Sequence, residues 1–126
     1  AGKIPAAKVY EDNKVTSFLD IMPANKGHCL VVPKQHAQTL IEMDEEDLIA
    51  TIKAAKRVAR ALSLTFGNGS FNLVMNNGKE AGQLVNHAHI HIIPRFQKDR
   101  LRIKWSHLKY GENEINEYAE KIRKFI

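Results

Sequence analysis

The alternation and clustering of apolar residues divide the chain into predicted strands and helices. Residues 9–10 and Val15–Leu19 flank the polar turn Glu11-Asp12-Asn13-Lys14 and predict a hairpin. Residues 29–32 form a continuous apolar run ended by Pro33, which predicts a buried strand. Asp44 then stands as a helix N-cap, with Glu45, Glu46 and Asp47 in the first turn, where the helix dipole favours anions. Leu48, Ile52, Ala55, Ala59 and Leu62 recur at helical spacing as the expected buried stripe, and Gly67-Asn68-Gly69 closes the helix. Residues 71–76 alternate, with Phe71, Leu73 and Met75 on one face, and Asn76-Asn77-Gly78 signals a turn. A glycine-containing loop, 78–82, leads to the run HAHIHII at 87–93, read as a strand stopped by Pro94. Arg100, Arg102 and Lys104 alternate with Leu101, Ile103 and Trp105 as in a strand or extended arm. A second amphipathic helix follows Gly111 on the stripe Ile115, Ala119, Ile122 and Ile126. A few antiparallel strands with helices kept apart in sequence predict an α+β domain.

Composition narrows the setting. A length of 126 residues without repeats, low-complexity tracts or a Pro/Gly/Ser linker suits one domain, 1–126, with 95–126 as its basic arm and C-terminal helix. No apolar run approaches the roughly 20 residues of a membrane span, and no secretory-type leader is visible, so a cytoplasmic protein is expected. The single cysteine, Cys29, excludes an internal disulfide and two-cysteine metal knuckles. A formal charge of +5 favours anionic partners such as nucleotides, phosphates or nucleic acid, although a lysine excess is also what a solvated surface looks like. The chain opens on Ala1, and a native segment upstream of it is expected.

The histidine run carries the chemistry. Alternation along a strand places His87, His89 and His91 on one face and Ala88, Ile90 and Ile92 on the other. Neighbouring imidazoles are then about 6.5–7 Å apart, too far to hydrogen-bond each other. Three readings stay open at this point: a polar outer face, a two-histidine contribution to a metal site, or nucleophilic attack at phosphorus by neutral imidazole. No acidic or cysteine cluster lies nearby to complete a metal site, and the glycine loop just ahead suits a phosphate.

His87-Ala88-His89-Ile90-His91-Ile92-Ile93 resembles the His-φ-His-φ-His-φ-φ signature of the histidine triad (HIT) family. The resemblance extends to the opening segment at 4–12, IPAAKVYED, and to Phe18-Leu19-Asp20-Ile21 with the following Gly27-His28-Cys29-Leu30-Val31-Val32-Pro33-Lys34. Gly82-Gln83 ahead of the triad fits as well. The pattern is similar to prokaryotic Hint-like and Fhit-like members. It implies an antiparallel sheet of about five strands with one long helix and a C-terminal helix. It also implies a homodimer across which the sheet continues, for which an exposed strand edge gives a physical motive.

By the same resemblance the protein is a hydrolase acting on the α-phosphate of a purine nucleotide, either a nucleoside phosphoramidate or a dinucleoside polyphosphate. His89 is the implied nucleophile, forming a covalent nucleotidyl-histidine, with a carbonyl on its other ring nitrogen fixing the tautomer. His87 and His91 are implied to position the strand and to contact phosphoryl oxygens or the leaving group, and His28 matches the family's further upstream histidine. Gln83 is expected to donate to the phosphate. Phe18, Leu19, Asp20, Ile21, Asn76, Gly82, Gln83, His89 and His91 make up the implied nucleotide site. Asp20 takes the ribose hydroxyls there, and Phe18 and Ile21 sandwich the base. Without the resemblance, Phe18 and Ile21 read as core and Asp20 as a turn residue. Histidine at 91, where sugar-phosphate transferases have glutamine, favours hydrolysis. No cofactor is implied. A nucleotide sensor without turnover is the alternative, and activity on adenylated DNA ends ranks last because no DNA-binding module is visible.

The resemblance breaks in three places. Leu84 stands where several well-known members carry a serine or threonine, and it cannot donate a hydrogen bond. Arg100 stands near the place where some members have a tryptophan, with Trp105 further on; Arg100, Arg102 and Lys104 read either as a polyphosphate contact or as a solvated arm. Many prokaryotic members also bind zinc through a cysteine pair ahead of the opening segment and histidines at places like His36 and His87. This chain has the histidines without the cysteines, so no metal is expected.

Overall fold

The computed structural model describes residues 7–126; positions 4–6 of the opening segment lie outside the described residues. Five strands, β1 (Lys8–Glu11), β2 (Val15–Leu19), β3 (Cys29–Pro33), β4 (Phe71–Val74) and β5 (Ile90–Pro94), form one antiparallel sheet in the order β1-β2-β3-β5-β4. The long helix α1 (Glu45–Phe66) crosses one face of this sheet, and α2 (Glu114–Arg123) follows an extended arm. The α+β class and both helices are as expected.

The hairpin turn is tied by Asp12, whose Oδ1 accepts from the amides of Lys14 and Val15. From there alternation sorts the sheet into two faces. Val15, Cys29, Val31, Ile90 and Ile92 point under α1 and meet Ala54, Ala55, Val58 and Ala59. Thr16, Phe18, Leu30, Val32 and His91 occupy the opposite face, since successive strand residues alternate.

The helix buries Ala55 and Ala59 of the expected stripe but turns its remaining large residues off the core face. Its buried positions are Asp47, Thr51, Ala54, Ala55, Val58 and Ala59, whereas Ile52 is 46% exposed. The alanines allow the helix axis to approach the sheet closely, and the bulkier Leu48, Ile52 and Leu62 are displaced to the flanks. Thr51 tolerates burial because its hydroxyl donates to the Asp47 carbonyl at 2.6 Å. Asp44 holds the N-cap position without a side-chain cap bond, and Gly67 closes the helix in the left-handed region at φ 65°.

Two further expectations change. The strand at the histidines begins at Ile90, so His87 and His89 belong to an irregular approach and not to the ladder. The stripe of α2 is open to solvent, with Ile115 and Ile122 exposed, and residues 100–110 form an arm without regular structure. Among the described residues no helix is long and apolar enough to cross a membrane.

Gly27 sets the distance between the sheet and the end of α1. It adopts φ +93°, and a Cβ placed there would stand 2.6 Å from Phe66 Cε2 and 3.1 Å from Pro94 Cγ. Gly27→Ala combines left-handed strain with overpacking and should cost on the order of 2 kcal/mol. Thermal unfolding should show Tm lowered by roughly 5–10 °C; a shift below about 1 °C would mean that this contact is not tight.

Candidate functional site

β5 lies between β3 and β4, and its register sets Leu30 and Val74 on either side of His91. His28 immediately precedes β3 and is 5% exposed. Five histidines then meet in two groups. His28 Nε2 lies 2.9 Å from His91 Nδ1, and the ring centroids of His91 and His89 are 4.9 Å apart. On the other side, His87 Nδ1 lies 3.2 Å from His36 Nδ1. The triad is thus tighter than an extended strand allows. The irregular backbone lets His89 turn back onto the His87 carbonyl two residues earlier.

Backbone partners assign the ring protons. The Ala24 amide donates to His28 Nδ1 at 3.0 Å, so neutral His28 carries its hydrogen on Nε2 and donates it to His91 Nδ1. His91 therefore presents an Nε2–H. His89 Nδ1–H donates to the His87 carbonyl at 2.8 Å, which leaves the Nε2 lone pair free. His87 Nε2–H donates to the Pro33 carbonyl at 2.8 Å and accepts at Nδ1 from His36. One ring displays a lone pair and another an N–H on the same face, which is the arrangement that nucleophilic attack with proton donation needs.

Burial pushes the His28 pKa below its ordinary value of 6.5, opposed by the Asp20 carboxylate, whose Oδ2 is 3.7 Å from His28 Nε2. His91 is lowered as well, first by desolvation and then by the charges of His89 and His28, with Asp20 again opposing. Asp20, His28 and His91 offer three ligand atoms within 4.8 Å of one another. Both His28 nitrogens are already engaged, so a cation there would have to break the His28–His91 bond.

The His36–His87 pair bears on the zinc question. Their Nδ1 atoms stand at roughly the separation of two nitrogens on a tetrahedral zinc. Cys29, the chain's one cysteine, is fully buried in the core, where burial raises its thiol to about 11. Among the described residues no carboxylate or cysteine joins the two histidines. Among the described residues the His36–His87 pair is a hydrogen-bonded pair with no third ligand.

Other expected site residues are placed unequally. Phe18 shares the histidine face and lies two strands from His91, a span of roughly 10 Å. Asp20 Oδ1 accepts from the Met22 amide, which leaves Oδ2 toward His28. Ile21 is exposed just beyond the strand end. Leu19 points the other way, into an apolar pocket beside Val58, Leu62 and Phe66 on the α1 side. Its side chain is not brought to the histidines. Asn76 Nδ2 approaches Gly82 at the mouth of the loop, where Gly82 takes φ +92°.

Gln83 is 8% exposed and fully engaged. Its Oε1 accepts from the Gly78 amide at 2.8 Å, and its Nε2 donates to the Gln38 and Val85 carbonyls at 2.6 and 3.0 Å. Donation to a phosphate would require giving up one of these bonds, so in this structure Gln83 is a clamp on the 78–85 loop. Sequence reasoning also missed the junction behind β5. There Arg95 pairs with Asp99, and Asn25 Nδ2 donates to both Asp99 and the Pro94 carbonyl. Asn25 and Asp99 are 74 residues apart, and no periodicity signals such a pair.

A family model described as "HIT domain" matches residues 1–98. An uncharacterised HIT-like protein of Methanocaldococcus jannaschii is 48% identical over 108 residues, covering 86% of this chain and 83% of that protein. An adenosine 5'-monophosphoramidase of Schizosaccharomyces pombe is 36% identical over 122 residues, covering 96% and 89%. The crystal structure of a Bacillus subtilis member of the HIT family superposes with a TM-score of 0.90 at 39% identity, covering 99% of this chain and 91% of that one.

The depressed histidines make stability depend on pH with a definite sign. Unfolded histidines take up protons near pH 6.5, and folded His28 and His91 take them up only at lower pH. The unfolded state therefore binds more protons in that window, and stability falls as pH drops from 7 toward 5. Denaturant unfolding at several pH values should show this slope, and His28→Gln should flatten it. An unchanged slope in the variant would remove His28 from the account.

Proposed function

The chain belongs to the HIT domain family, and on that premise we propose that it is a nucleotide hydrolase that attacks the α-phosphate of a purine nucleoside phosphoramidate or dinucleoside polyphosphate through His89. The observation that carries this reading is the His89 Nδ1–H bond to the His87 carbonyl. It fixes the tautomer in which Nε2 is a free lone pair, and an imidazole in that state is nucleophilic at neutral pH.

The reaction follows from the ring protons. His89 Nε2 bonds to phosphorus as the bond to the leaving group breaks, and the leaving atom takes a proton from His91, which picks one up from solvent when the anionic substrate joins Asp20 beside the His28–His91 pair. Water then cleaves the His89–phosphorus bond, giving its hydroxyl to phosphorus and returning the proton to His91. One water is consumed and each histidine ends as it began. The His28 bond holds His91 in its donating tautomer, and the Asp20 carboxylate offsets positive charge developing on the pair. Phe18 and Ile21 flank the base and Asp20 Oδ2 receives the ribose. The relative named as an adenosine 5'-monophosphoramidase supports a purine phosphoramidate as the substrate class.

The same reading includes a homodimer. β4 is an edge strand, and its Phe71 and Leu73, with Ile52, Ala55 and Ala59 of α1, line an apolar groove of about 470 Å³. Pairing of β4 with a second copy extends the sheet and covers that groove.

His89→Asn should lower kcat by at least about 10³-fold. Rapid quenching with labelled substrate should trap a nucleotidyl adduct in the native protein that is missing in the variant. Nucleotide binding without turnover and without an adduct would instead identify a nucleotide-binding protein that performs no hydrolysis.

A further inference from the structure

The turn between β2 and β3 reaches the histidines through one backbone amide. Ala24 N–H donates to His28 Nδ1, so the placement of His28 depends on how firmly residues 20–28 are held. The neck of the turn is closed by its own backbone. The Asp20 amide donates to the His28 carbonyl at 2.9 Å, and the His28 amide donates to the Asn25 carbonyl at 3.0 Å. Its tip is different: Met22, Pro23 and Ala24 are all exposed, so burial does not fix the Ala24 amide and a polar tie has to.

The Asn25 side chain supplies that tie. Its Nδ2 carries two hydrogens and has two acceptors, the Pro94 carbonyl at 2.9 Å and Asp99 Oδ2 at 3.0 Å. Both acceptors are themselves fixed. Pro94 ends β5, the strand that carries His91. Asp99 Oδ2 also accepts from Arg95 Nε and from the Phe96 amide, each at 2.9 Å, and its Oδ1 accepts from Arg95 Nη2 at 2.9 Å. These donors, Arg95 foremost, hold the Asp99 carboxyl well below the usual carboxylate range, so it remains an acceptor. Arg95 is braced in turn by Asn72 Oδ1 on β4 and by the Leu101 carbonyl. A chain of hydrogen bonds thus runs from β4 and β5 into the turn and ends one residue from the amide that His28 accepts.

We infer that Asn25 is a positioning residue of the site: anchored on Asp99 and Pro94, it keeps the Ala24 amide on His28 and so aligns the His28–His91 pair for proton delivery. The proton delivery rests on the hydrolase reading above; the alignment does not. Without this brace the Ala24 amide can turn to water, His28 Nδ1 loses its donor, and the ring is free to swing away from His91.

Histidine-resolved nitrogen-15 NMR of the intact, ligand-free protein reads the His28 Nε2 proton directly. In the native protein His28 should be a single Nε2–H tautomer whose proton exchanges slowly with water. Asn25→Ala should speed that exchange by at least about tenfold, since local opening exposes the proton. Asp99→Ala, which leaves Asn25 its Pro94 bond alone, should act in the same direction and by less. Asp12→Ala is the stability control: it removes two hydrogen bonds in the β1–β2 turn and should lower Tm without moving the His28 signal. With substrate, Asn25→Ala should lower kcat by about tenfold and change KM by less than about twofold. In a His28→Gln background the same substitution should have no further effect on kcat. An unmoved His28 proton in Asn25→Ala, an equal change in Asp12→Ala, or an undiminished loss of kcat in the His28→Gln background would overturn the inference. A proton that moves as expected in a protein without turnover or a His89 adduct would remove the hydrolase reading and leave the positioning of His28 by Asn25 in place.

Discussion

Burial of Ala88, and of Ile90 and Ile92 beneath α1, is the constraint on which the rest of this structure depends. Their relative exposures are 1%, 4% and 0%. With every second residue committed to the core, the histidines between them have one face available. The interior position of β5 then brings that face beside β3, and His28, just ahead of β3, is itself nearly buried. Gly27 makes the approach possible, because a side chain there would collide with Phe66 at the end of the same helix. Core packing and site geometry are one arrangement seen from its two sides.

Identical side chains acquire different work from the backbone around them. The carbonyls of Pro33 and His87 each take an N–H from a triad ring, and the amide of Ala24 gives one to His28. These three groups distribute the ring protons without any help from a substrate. Desolvation then keeps His28 and His91 neutral in the resting protein, so their bond persists at neutral pH. Asp20 acts in the opposite sense, close enough to favour a transient cation and too far, at 3.7 Å, to create a permanent one. A preorganised set of this kind has little to rearrange when charge develops.

Much of this was legible in the sequence because alternation is a strong physical signal. The hairpin, the apolar third strand, the long helix and the alternation at 87–93 all follow from which residues can be buried at period 2 or 3.6. Of the stripe expected on α1, Ala55 and Ala59 are buried and Ile52 is exposed. A helix lying on a sheet buries what lets it come close, so Ala54 and Ala59 lie inward and Ile52 does not. The bend at His87–His89 was invisible for a related reason: it depends on a carbonyl, which every residue has. Leu19 shows the limit of carrying a segment across as a block, since its two neighbours Phe18 and Asp20 face the site and its own side chain turns to the opposite side.

Gln83 is where expectation and structure diverge most usefully. A side-chain amide near a phosphate site invites a role in binding, yet here both ends of that amide are spent on main-chain groups. Each of those bonds is shielded, and losing one would strand a buried polar atom at a cost of about 1–3 kcal/mol. A residue so committed stabilises the position of its neighbours more than it touches a ligand. The consequence is a division of labour along one short segment. Hydrogen bonding at Gln83 fixes the loop, His87 and Ala88 anchor its exit, and the side chains between them are relieved of any structural duty. Positions 84 and 85, both exposed, can then change character without disturbing the core or the ring tautomers.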